Sequence, residues 1–325
     1  VRLKVISWNV QFFAGKNYCF FYDSSDGAGK DWRPSYDDMM ASFEGVCRVI
    51  EEERPDVVLL QEVDIFARRT HYVDQAAMLR HALGRLLPYA SLCPYWKVPF
   101  VPHPKVMGPA GMHLMVMSRF PLQQSLRPVV LPRAKRNWFV DLFHIRRKLQ
   151  QIDVCLPDRQ KVRVVNVHLE AFPAEADLLA RQVQCVDDVL SGAPMALAAG
   201  DFNLLPNQKA YQDLPTPHQR ELYNSKGSEM ELLYKKYAVL PTLDMVSGSD
   251  RARWYTFNSN DRRIGHADRT LDYFVIKGPW LPERFYVRSH DTTALSDHFP
   301  VIIEASVDRG SPRSAHRPVA SGPSK

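Results

Sequence analysis

The stretch PMALAAGDFN, residues 194–203, is an apolar run that stops abruptly at a glycine, a carboxylate and an amide. Met195–Ala199 has the length and character of a buried strand. Gly200 permits a sharp bend. Asp201 and Asn203, two residues apart, would share one side of an extended backbone. Other strand-like runs also carry polar groups at their ends. Leu3–Val10 brings Asn9 near its end, and DVVLLQE (56–62) ends at Glu62. A later run ends at His168, Leu271–Ile276 has Asp272 at its beginning, and Ser296, Asp297 and His298 lie just before Val301–Ala305. Polar groups at strand ends converge on one rim of a sheet, where a rigid scaffold can hold a site.

Helical spacing separates these runs. Met40, Phe43, Cys47 and Ile50 share a face before Pro55; Leu79, Leu83 and Leu86 share another; Ala176, Leu179, Val183, Val186 and Leu190 make a third. Leu149–Cys155 and Lys161–His168 flank Pro157–Asp158 and read as a β-hairpin. Residues 14–35 and the proline-rich 94–110 read as loops. Interleaved strands and helices with a hairpin argue for an α/β fold of sheets covered by helices, in one domain. The segment after residue 306, rich in Ser, Pro, Arg and Gly, is expected to be a disordered basic tail over 307–325.

The chain has 325 residues, 45% hydrophobic and 24% charged, which excludes collagen-like, wholly disordered and coiled-coil classes. No apolar run approaches the ~20 residues of a membrane helix. Lys+Arg minus Asp+Glu is 42 − 36 = +6, compatible with nucleic acid, anionic lipid or phosphorylated substrates. Five widely spaced cysteines without a CxxC argue for reduced thiols and lean cytoplasmic, and no signal-peptide pattern is read. Glu62, Asp201, Asp297, Asn9 and Asn203 are all oxygen donors, a set that suits Mg²⁺ or Mn²⁺ and is poor for zinc or copper.

Six segments occur in order: SWNVQ (7–11), LLQEVD (59–64), NVHLE (166–170), GDFN (200–203), RTLDYF (269–274) and SDHFP (296–300). Their order and wording resemble the endonuclease/exonuclease/phosphatase superfamily, the deoxyribonuclease-I-like fold. The resemblance implies a four-layer α/β sandwich over residues 1–306, two packed mixed β-sheets flanked by helices. It also implies metal-dependent phosphoester hydrolysis, by a protein expected to be monomeric. Carried over residue by residue, Glu62 resembles the principal Mg²⁺ ligand, with Asn9 and Asp297 completing the metal region. Asp201 would orient or deprotonate the attacking water. Asn203 would fix Asp201 and contact the phosphate. His168 and His298 would donate to phosphoryl oxygens, and Asp272 would hold His298. Gln11 departs from members with an acidic residue there, so the resemblance leaves a second metal contact open.

Two basic stretches bear on the substrate. Residues 127–148 hold seven Lys or Arg against one acid, Asp141, interleaved with Trp138, Phe139 and Phe143. Arg251, Arg253, Arg262, Arg263 and Arg269 precede Asp272. Such stretches hold nucleic acid, lie on anionic membrane, or are tied up in salt bridges. The expected substrate is a phosphodiester, nucleic acid ahead of a phospholipid or inositol phosphate. A catalytically inactive binding module is the remaining alternative.

Overall fold

The computed structural model describes residues 1–23, 27–123, 126–173, 175–307 and 320–321. Its strands are β1 (Arg2–Asn9), β2 (Val57–Asp64), β3 (Tyr89–Val101), β4 (Gly108–Ser118), β5 (Leu122–Gln123), β6 (Val129–Val130), β7 (Lys148–Cys155), β8 (Lys161–His168), β9 (Ala196–Asp201), β10 (Ala238–Leu240), β11 (Asp272–Lys277), β12 (Trp280–Val287), β13 (Val301–Val307) and β14 (Ala320–Ser321). One sheet runs β14-β12-β13-β1-β2-β4-β3; the other runs β10-β11-β9-β8-β7-β5, with β6 beside β7. Both are mixed: β1 lies parallel to β2 and β8 to β9, and their other core pairings are antiparallel.

Alternation along the strands builds four layers. Leu3, Val5, Val57 and Leu59 face Val162, Val164, Leu197 and Phe274 in a core between the sheets. The opposite parity, Ile6, Trp8, Val58 and Leu60, packs under helices α1 (Tyr36–Glu53) and α2 (Gln75–Leu83). On the far side Val165, Val167, Ala196 and Ala198 pack under α4 (Leu178–Ser191), which follows the short helix α3 (Trp138–Asp141). This is the four-layer sandwich expected from the motifs.

Three expectations need correction. Residues 94–110 are mostly not loop but the end of β3, its turn and the start of β4. Pro94 and Pro99 fit because β3 is an edge strand and its register slips between Pro94 and Trp96 and between Val98 and Val101. Gly200 is not a bend but a close approach. It has φ +150°, and a Cβ there would sit 1.9 Å from the Val167 carbonyl oxygen of β8. Asn203 is not in extended backbone; its φ is 53°. The expected disordered tail lies outside the described residues, apart from Val307 at the end of β13 and the β14 pair, which runs parallel to β12.

Away from the site, Glu53 at the end of α1 ties the helix to the sheet. Its carboxylate accepts from Lys4 Nζ of β1, the Tyr286 hydroxyl of β12 and Arg288 Nη1. Burial opposes its charge, but these donors outweigh that and hold its carboxyl below the usual range. Such a group stabilises the fold above the unfolded carboxyl pKa, and the benefit is lost as pH falls through the lower folded value. Glu53→Gln is expected to cost about 2 kcal/mol at neutral pH. The deficit should shrink on acidification below about pH 4, as measured by urea melts of both proteins across pH.

Candidate active site

The parity that buries apolar residues between the sheets also aims the polar strand ends. Leu3 and Val5 face inward, and two-residue steps along β1 reach Asn9. Val162 and Val164 lead to His168, Leu197 and Ala199 lead to Asp201, and Phe274 shares its face with Asp272. Glu62 breaks this rule, because the parity of β2 would aim Gln61 inward. Gln61 does point in, donating to Asn166 Oδ1 of the other sheet at 2.7 Å. A bulge between Leu60 and Val63, with Glu62 at φ 60°, turns the next side chain into the cleft as well. A non-glycine residue held in that region costs about 1 kcal/mol or more, a cost that persists where packing enforces it.

The groups meet at the end of the sandwich, in a cleft of about 670 Å³. Asn9 Nδ2 lies 3.3 Å from Glu62 Oε1 and 3.1 Å from Asp201 Oδ2. His168 Nε2 and His298 Nε2 each stand 3.5 Å from Asp201 Oδ2. His168 Nε2 is also 3.8 Å from Glu62 Oε1. His298 Nδ1 bonds Asp272 Oδ2 at 2.8 Å. The Asn203 backbone NH donates to Asp201 Oδ1 at 2.9 Å, while its side-chain amide is committed to the Leu169 carbonyl at 3.0 Å. Ser296 Oγ joins the last segment to the first, donating to the Asn9 carbonyl at 2.7 Å beside Asp297. Asn9, Glu62, His168, Asp201, Asn203, Asp297 and His298 therefore all reach this cleft, and Asp272 stands directly behind it.

Burial sets the protonation states. It would depress the His298 imidazolium, but the Asp272 and Asp201 carboxylates reverse that and hold His298 charged well above its ordinary range. Burial, with Arg147 and His298 nearby, keeps His168 neutral. Its Nδ1 is 3.0 Å from the Tyr95 hydroxyl, and its Nε2 faces two carboxylates. A lone pair would be repelled there, so the proton is assigned to Nε2 and Tyr95 donates to Nδ1. Burial raises the Asp201 carboxyl, against the pull of His298. Burial also raises Glu62 and Asp297. Asp23 is pushed up to about 8 by burial and by the Asp297 charge.

Two observations bear on a metal ion. Asp201, Asp272 and His298 offer ligand-type atoms within 4.8 Å of one another, but Asp272 Oδ2 is already committed to His298 Nδ1. That trio is a hydrogen-bonded acid–base pair with a carboxylate in front. Glu62 and Asp297 instead keep partly exposed carboxylates in the cleft, and the Asp297 charge helps raise Glu62. Beside them both amide atoms of Gln11 are buried without a partner. Crowded carboxylates and an unused amide fit a hard cation with its bound ligand.

Several members of the site carry no motif in the sequence. Tyr95 sits in a stretch expected to be loop. Asp23 comes from a loop with no strand-end pattern, and Arg147 from a basic run. Glu170 lay within NVHLE without a role; its Oε1 is 3.7 Å from Arg147 Nε.

A model of the Endonuclease/Exonuclease/phosphatase family matches residues 6–298. The chain belongs to that family. It is thus a phosphoesterase by family, a hydrolase of phosphoester bonds. Solved structures share the fold. An endonuclease/exonuclease/phosphatase protein from Beutenbergia cavernae is 22% identical with a TM-score of 0.63, covering 94% of this chain and 72% of its own. D. rerio TDP2 complexed with single strand DNA product is 15% identical with a TM-score of 0.56, covering 94% and 99%. The human Nocturnin catalytic domain with bound sulfate is 16% identical with a TM-score of 0.53, covering 94% and 95%. No curated protein matched the sequence. Within this endonuclease/exonuclease/phosphatase chain, no helix among the described residues is long and apolar enough to cross a membrane.

Proposed function

We propose that this chain is a Mg²⁺-dependent phosphodiesterase. The observation that carries the reading is the meeting of Glu62, Asn9, Asp201, His168 and His298 in one cleft, with the His298 imidazole hydrogen-bonded to Asp272. Glu62, Asn9 and Asp297 would hold the ion. A bound divalent cation neutralises the diester's charge and stabilises the leaving oxygen.

The chain's own groups supply the rest. Asp201, fixed by the Asn203 NH and the Asn9 amide, takes a proton from the attacking water at Oδ2. The water oxygen forms the new bond to phosphorus, the ester P–O bond breaks with its electron pair on the leaving oxygen, and that alkoxide takes a proton from solvent while Asp201 returns its own to solvent. His298 Nε2–H and His168 Nε2–H donate to phosphoryl oxygens where negative charge grows. Asp272 maintains the His298 proton, and Tyr95 maintains the His168 tautomer.

Asp272→Asn is expected to lower kcat by about a hundredfold. With that carboxylate gone, His298 loses its proton at lower pH, so the alkaline limb of the pH–rate profile should move toward neutrality. An unmoved limb would remove the Asp272–His298 pair from the mechanism.

Turnover of bis-p-nitrophenyl phosphate with Mg²⁺, with chelator, and after adding Mg²⁺ back tests the class. Equal rates in all three would reject metal dependence. The D. rerio TDP2 structure with DNA product favours nucleic acid as substrate class. Against it, many cations of both basic stretches are paired internally: Arg133 with Asp141, Arg251 with Asp213 and Arg269 with Asp268. DNA, RNA, sphingomyelin and phosphoinositides assayed side by side distinguish nucleic-acid from phospholipid hydrolysis.

A further inference from the structure

One wall of the cleft is formed by an element the chemistry above does not use. Helix α3 and the residue after it expose a run of apolar side chains: Trp138 is 74% exposed, Phe139 52%, Val140 48% and Leu142 50%. Exposed clusters of this kind on a soluble surface mark a contact surface. The segment is fastened in place. Asn137 caps α3 by accepting from the Phe139 NH, Trp96 Nε1 of β3 donates to the Phe143 carbonyl at 2.9 Å, and the Arg146 NH donates to the Tyr95 carbonyl at 2.7 Å. The apolar side chains are therefore held outward by a rigid base. At the same cleft, the tip between β3 and β4 adds exposed Phe100 and Met107 beside the lining residues Val101 and Val106.

Charge selects the partner. Residues 127–148 carry seven cations and one acid. Three of the cations face carboxylates, Arg133 and Arg146 at Asp141 and Arg147 at Glu170, which leaves Arg127, Lys135, Lys148 and the cleft-lining Arg136 without a side-chain ion pair to a carboxylate among the described residues. Exposed apolar side chains on a segment with an excess of cations match a bilayer bearing anionic headgroups, where Trp favours the interface. The rings do not lie parallel to one another as a platform for successive stacked bases. Trp138 and Phe139 meet edge-on at 85°, Phe139 and Phe143 at 72°, and Val140 and Leu142 have no π face.

We propose that α3, with the β3–β4 tip, docks this protein on anionic phospholipid membranes with the cleft turned toward the headgroups. Only the orientation of the cleft rests on the phosphodiesterase reading; docking itself is measured without turnover. The test is co-sedimentation of the full chain with vesicles of phosphatidylcholine and phosphatidylserine, against phosphatidylcholine alone. The probe variant is Trp138→Ser/Leu142→Ser, two side chains outside the cleft lining. The expected result is binding to the mixed vesicles, weakened about tenfold without phosphatidylserine and by about tenfold or more in the variant. Turnover of bis-p-nitrophenyl phosphate should be unchanged in the variant, which also shows that it folds. Absence of sedimentation with mixed vesicles overturns the proposal. In that case, single-stranded oligonucleotide binding or self-association that is lost in the variant identifies the other occupant. Failure of wild-type turnover on the soluble diester refutes the phosphodiesterase reading, and sedimentation still decides docking.

Discussion

Glu62→Gln is expected to lower Mg²⁺-activated diester hydrolysis by about a thousandfold. The substitution keeps the side chain's shape and removes only its charge. Glu62 sits at a bulge whose left-handed backbone aims it into the cleft, and glutamine meets the same backbone requirement. Burial and the Asp297 charge both raise its carboxyl, so the ionised form is held there at a cost to the fold. Removing the charge should therefore leave the melting temperature unchanged or slightly higher while activity collapses, as at other sites that trade stability for function. Mg²⁺ binding followed by calorimetry should weaken in parallel. If the variant keeps its Mg²⁺ dependence and a rate within tenfold of wild type, the ion is held elsewhere.

Asp201→Asn should be at least as damaging, with a loss of about 10³- to 10⁴-fold. Asp201 is 1% exposed and accepts from two donors, Asn9 Nδ2 and the Asn203 NH. An asparagine amide must turn its NH₂ toward one of them, so about 1–2 kcal/mol of stability should be lost as well. The rate loss is separable from the stability loss by its pH dependence. A base must be ionised, so wild-type activity should fall as pH drops through the raised Asp201 pKa. In the variant that acid limb should vanish. If it persists in the residual activity, another group is the base and Asp201 only positions water.

The strand-end pattern carried much of this into the sequence. Apolar parity along β1, β8, β9 and β11 predicts which side of each strand faces the core. The polar residue that continues each parity falls on the site, so Asn9, His168, Asp201 and Asp272 were legible one strand at a time. Glu62 was legible by its place at a strand end and in the motif but not by parity, because strict alternation would have chosen Gln61. Its orientation depends on a bulge, which is enforced by the pairing of β2 with β4 and has no local signature. Tyr95 was hidden for a related reason. Prolines argue against a strand unless the strand is at an edge, and edge position is a property of the whole sheet.

The basic stretches show the same division. Their cations are evident in the sequence, but which of them are neutralised depends on partners such as Asp213 for Arg251, which is remote in the chain. Alternation, helical spacing and the ordered motifs, all short-range properties of the chain, determined the layered fold and the identity of most site residues. Protonation states, the aim of Glu62, the support of His168 by Tyr95 and the exposed apolar wall at α3 were decided only by tertiary structure. Each depends on burial and on groups brought together from distant segments, and electrostatics in a low-dielectric cleft depends on distances through space.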